Sequence, residues 1–102
     1  MRRIEKIAYV IIVVGVLLDH ASTMYALTQP NIVEVNPFVL SLMEKDLWLL
    51  GDLLVMASGT IFIYALIRMI DKPEAIYLLI YPIVHGLIRI AAAVHNFGVI
   101  FP

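Results

Sequence analysis

Three apolar stretches, each about as long as a bilayer's hydrocarbon core is thick, dictate what this chain can fold into. The first runs without a break from Ile7 to Leu18 and continues through Asp19, His20, Ser22 and Thr23 to Leu27. Crossing the hydrocarbon takes about 20 helical residues at roughly 1.5 Å each, so the first span is expected over residues 4–27. The second is expected over residues 46–70, with Asp46 as its cap and Trp48 where an interfacial tryptophan is common. The third is expected over residues 74–98, kinked at Pro82, with the carbonyl freed near Leu78 satisfied by neighbours or water. A soluble fold of 102 residues cannot hide a composition that is 63% hydrophobic and only 15% charged, because small domains bury a modest share of their surface. The expected fold is an all-α integral membrane bundle of three transmembrane helices, one domain over residues 1–102, with the lipid bilayer as its solvent.

Other classes fall away on charge and residue usage. Met1-Arg2-Arg3 begins like a secretory signal, but no cleavage site precedes a soluble domain and two further spans follow, so the first stretch is read as a span. Seven Lys+Arg against eight Asp+Glu leave a net charge of −1, so there is no basic footprint for nucleic acid. The chain has no cysteine, which removes disulfides, thiolate metal sites and cysteine nucleophiles together.

The connection between the first two spans carries its own signals. Pro30-Asn31 ends the first helix. Asn36-Pro37 reads as an N-cap followed by proline at the first helical position, opening a short helix over residues 37–44 that is too short to span and apolar enough to lie in the interface. Arg2, Arg3 and Lys6 precede the first span and Arg68 and Lys72 join the second to the third, whereas Lys45 stands alone at the other side. By the positive-inside rule the N-terminus is expected in the cytoplasm and the C-terminus outside.

Orientation and depth together bring the polar residues to one side. Asp19, His20 and Thr23 fall in the outer half of the first span, and Asp52 in the outer half of the second. His85 lies near the midplane of the third, Arg89 about one turn further out, and His95 and Asn96 near the outer surface, beside the loop with Glu34 and Asn36. Helical faces agree: Ala8, Ile12, Gly15, Asp19, Ser22 and Ala26 share a stripe, as do Asp52, Met56 and Gly59, and as do His85, Arg89, Ala92 and Asn96. Small residues on such stripes let helices pack closely in lipid.

An unpaired charge at mid-bilayer costs about 2.5 to 3.5 kcal/mol even on the lenient insertion scale. Arg89 is therefore expected between Asp19 and Asp52, with His85 or a proton balancing the spare negative charge. His20 adjoins Asp19 but points about 100° away around the helix, towards headgroups or a partner subunit. Glu34 is expected to return to the bundle beside Thr23, His95 or Asn96. Plainer roles exist for each: the aspartates as structural partners of Arg89, His85 as a packing histidine, Thr23 bonded back to the Asp19 carbonyl, and His95 and Asn96 as residues that end the span.

The pattern Asp19-x-x-x-Thr23 followed by Glu34-x-Asn36-Pro37, with Asn96 late in the last helix, resembles a domain-of-unknown-function family of small bacterial and archaeal multi-pass membrane proteins. Glycine is frequent before the acidic residue in that family, where Pro30-Asn31 stands here. The resemblance implies a membrane fold and no particular reaction, and it singles out Asp19, Thr23, Glu34, Asn36 and Pro37.

The leading functional expectation is an outward-facing intramembrane site built from Asp19, Thr23, Glu34, Asn36, Asp52, His85, Arg89 and Asn96, binding a proton, a metal ion or a small polar ligand. The chain would act as a homo-oligomer or beside a partner membrane subunit. One alternative is an accessory subunit of a larger complex. Another is a metal-assisted intramembrane hydrolase with His20, His85 and His95 as ligands, since imidazoles and carboxylates suit zinc. No HExxH or G-x-S-x-G spacing is present, and no catalytic residue is assigned.

Overall fold

The computed structural model describes residues 2–101. It consists of α1 (Arg3–Ala26), α2 (Pro37–Glu44), α3 (Trp48–Met69) and a 3-10 segment (Pro73–Leu79) that runs into α4 (Ile80–Ile100), with no strand among the described residues. Arg3–Ala26, Trp48–Met69 and Pro73–Ile100 are each long and apolar enough to cross a membrane. This is the architecture of a multi-pass membrane protein. The molecule is a slab of 52 × 30 × 16 Å, so every helix keeps a broad face to its surroundings. Those faces carry exposed Val10, Leu17, Leu54, Phe62, Ile88 and Val94, side chains that a bilayer would cover.

Close packing is concentrated where α1 and α4 run parallel. Ala8, Ile12, Gly15, Ser22 and Ala26 of the small-residue stripe are buried, with Val16 alongside. At the crossing, a Cβ on Gly15 would lie 2.4 Å from the Gly86 carbonyl oxygen, and a Cβ on Gly86 2.6 Å from the Ile11 backbone. Only glycine permits that approach. In lipid such intimate van der Waals contact is what holds helices together, since no hydrophobic force acts between them. The antiparallel α3 stands further off and buries one residue, Ile63. Tyr81 of α4 reaches across to it, its hydroxyl 3.0 Å from where a Cβ on Gly59 would be.

Two expectations about helix ends change. Asp46 does not cap α3: it adopts a left-handed turn, φ 56°, and Leu47 occupies the cap position with no side-chain bond. Aspartate tolerates that conformation better than most residues, and here it reverses the chain from α2 into α3. Pro82 lies in the first turn of α4, where its missing N–H has no helical partner to lose. Its ring excludes an α-type bond to the Leu78 carbonyl, and the chain before it winds as the 3-10 segment. The expected kink is thus a change of helix type at Leu79–Ile80. The short helix starts as its sequence predicts: Asn36 Oδ1 accepts from the backbone N–H of Phe38 (3.0 Å) and Val39 (3.4 Å), with Pro37 at the first position.

Candidate functional site

Arg89 joins the three long helices. Its Nε donates to Asp19 Oδ2 on α1, its Nη2 to Asp52 Oδ2 on α3, and its Nη1 to Asp52 Oδ1 at 3.2 Å. A planar fork of five donors can serve two carboxylates in this way, which a lysine's point charge cannot. The charge pairing expected from depth and helical face is present.

The histidine in the cluster is not the expected one. His20 is 2% exposed, and its Nε2 hydrogen-bonds Asp52 Oδ2. Its ring lies 4.2 Å from that of Trp48. Being about 100° apart around α1, Asp19 and His20 address two neighbours, α4 and α3, so His20 faces neither headgroups nor a partner. His85 lies outside the cluster, packed edge-on against Tyr81 at 5.7 Å, with its buried Nε2 unpartnered among the described residues. His95 is exposed. His20, His85 and His95 are not gathered into a metal-ligating set, and among the described residues no three His, Asp or Glu side chains are grouped to hold a metal ion.

A second polar contact braces the α1–α4 pair towards the loop end. Asn96 Nδ2 donates to Ser22 Oγ and Thr23 Oγ1, both at 3.0 Å. Ser22, not Thr23, bonds back to the Asp19 carbonyl, at 3.0 Å. Asn96 therefore supports the turn of α1 that carries Asp19 instead of merely ending its own helix.

Above the ion cluster opens a cavity of about 620 Å³ between α1, α2, α3 and the loop. Asp19, Asp52, Glu34, Thr23 and Arg89 supply its polar lining. Phe38, Val39, Leu42, Trp48 and Val55 form its apolar walls, and Gly51 leaves room among them. Glu34 does turn towards the bundle, but its hydrogen bond is local: Oε1 accepts from the Asn36 N–H at 2.9 Å. It makes no bond to Thr23, His95 or Asn96. Asn36 acts as a helix cap and does not line the cavity. Of the eight residues expected at the site, five share the cavity, Asn96 braces it from behind, and Asn36 and His85 lie apart.

The sequence reading missed a second ion pair, at the opposite, basic end. Glu5 is 3% exposed and accepts from Arg68 Nη1 and Nη2, each at 3.0 Å. Tyr9 Oη also donates to Glu5 Oε2 at 3.1 Å, and the Arg68 guanidinium stacks 4.5 Å from the Tyr64 ring centre. Extending the α1 stripe back from Ala8 by one turn reaches Glu5, the signal that would have found it. Between the two ion clusters lies apolar packing centred on Ala8, Ile63 and Leu79.

Compared with protein-family models, curated proteins and solved structures, the chain matches none, so the residues themselves carry the functional reading.

Proposed function

We propose that this membrane protein binds a small organic cation in the cavity above Arg89, with the site open to the outside, the N-terminus in the cytoplasm and the C-terminus outside. The observation that carries the reading is the charge of the lining. Three carboxylates, Asp19, Asp52 and Glu34, face one guanidinium, a formal excess of two negative charges in the lining. Arg89 locks Asp19 and Asp52 into one geometry without matching their combined charge, and Glu34 has no cationic partner among the described residues. The walls favour a ligand with an apolar body, and Trp48 lies among them, where an ammonium group over its ring would gain about 0.5–2 kcal/mol depending on desolvation. The volume lies within the range of small-molecule pockets. The orientation rests on the five cationic residues before and between the spans at the basic end, against Lys45 at the other.

Trp48 is the single tryptophan of the chain and lines the cavity, so it reports on occupancy. Titrating the detergent-solubilised protein with hexylammonium should shift Trp48 fluorescence saturably. Hexanol and hexanoate, matched in length, should give at most the linear response of micelle partitioning. Glu34→Gln should weaken hexylammonium binding about tenfold, equivalent to about 1.4 kcal/mol. Equal saturable binding of hexanol would remove the charge argument and with it the proposal.

A further inference from the structure

The basic end has its own concavity, of about 340 Å³, where the start of α1, the end of α3 and the turn into the 3-10 segment meet. Arg2, Arg68 and Lys72 contribute the cationic part of its lining, and Glu5 and Asp71 the acidic part. Glu5 is fully engaged by Arg68 and Tyr9, which leaves Asp71 as the free acid. Arg2 and Lys72 have no ion-pair partner among the described residues. The Glu5–Arg68 pair thus acts as a neutral, rigid back wall, and the groove keeps one net positive charge. Ile67, Ile70 and Ile76 line the same groove, so charge and hydrocarbon adjoin at the level where the helices leave the membrane.

We propose that this groove binds a phosphate group of net negative charge, with Arg2 and Lys72 as its ligands and the isoleucines receiving the apolar part of an anionic phospholipid. Cationic side chains near an anionic leaflet attract it without any site. A site differs from that general attraction in depending on which cations are removed. Arg3 and Lys6 lie at the same end but do not line the groove, and they provide the comparison.

The test is thermal unfolding in dodecylmaltoside micelles with added phosphatidylglycerol, phosphatidylcholine or inorganic phosphate. Phosphatidylglycerol should raise Tm by about 4–8 °C over phosphatidylcholine, as for a ligand several-fold above its Kd on a chain of this size. The rise should vanish in Arg2→Gln/Lys72→Gln and persist in Arg3→Gln/Lys6→Gln. A rise with phosphatidylglycerol alone assigns the groove to a lipid headgroup. A comparable rise with inorganic phosphate, lost in the same double variant, assigns it to the soluble anion. No rise with either probe, or a rise that both double variants diminish equally or neither diminishes, overturns the proposal. Ligand binding in the Arg89 cavity, at the other end of the molecule, is read separately through Trp48, so the two proposals fail independently.

Discussion

Arg89→Ala is expected to lower the stability of the detergent-solubilised protein by about 3–4 kcal/mol, towards the lower end of the loss from removing one partner of a buried ion pair, because the three side chains keep 19–23% of their surface exposed. The substitution leaves Asp19 and Asp52 facing one another across a gap with His20 as the nearest polar neighbour. Most of the loss comes from those two uncompensated carboxylates and not from the guanidinium's own contacts. The triple variant Arg89→Leu/Asp19→Leu/Asp52→Asn should therefore be more stable than Arg89→Ala alone, although it removes more native groups. Asparagine at position 52 keeps an acceptor for His20, and the leucines leave only a repacking problem. Unfolding by graded addition of a denaturing detergent compares the two directly. If the triple variant is the weaker one, the cluster holds the fold by shape and not by charge balance.

Gly86→Ala should be nearly as damaging, at about 3 kcal/mol, the upper end of ordinary overpacking costs. The added methyl meets the Ile11 backbone at 2.6 Å, and a backbone within a helix cannot turn aside as a side chain can. Gly15→Ala meets the Gly86 carbonyl and should behave alike. Because Gly86 lies one turn before Arg89, prising α1 from α4 also draws the guanidinium from Asp19, so loss of hexylammonium binding should accompany the loss of stability. Gly51 and Gly98 have nothing within 4 Å of an added Cβ. Alanine there should be neutral or stabilising by up to about 1 kcal/mol through helix propensity. The same unfolding assay separates the pairs, and equal tolerance at Gly86 and Gly51 would show that the crossing is looser than described.

How much of this is legible in the sequence follows from which physical constraint acts on each residue. Hydropathy and length placed the three long helices to within a few residues, because lipid leaves the backbone no alternative to a helix of that length. Arg89 could be assigned to Asp19 and Asp52 because three charges at one depth are too costly unless paired. His20 could not be placed, since the lean of α3 against α1 decides whether a residue 100° from Asp19 meets lipid or Asp52. Periodicity along one helix carries no information about which side its neighbour occupies. The Glu5–Arg68 pair is masked for a related reason: charges at a span's end read as solvated, and although the α1 stripe extends back to Glu5, its partners Arg68 and Tyr9 emerge only from the packing. Asp46 lies in a turn, where a short polar residue serves as well in a left-handed bend as in a cap, and spacing does not distinguish the two.

Because the chain has no native cysteine, a single cysteine can report on the cavity without background. The most direct measurement is labelling of Leu42→Cys, in the cavity wall, by a membrane-impermeant maleimide in intact cells, with Lys72→Cys at the basic end as its counterpart. The account predicts that Leu42→Cys reacts from outside and is protected by hexylammonium, while Lys72→Cys reacts only after permeabilisation. Labelling of Leu42→Cys only after permeabilisation, or no protection by hexylammonium, would contradict an outward-opening cation site.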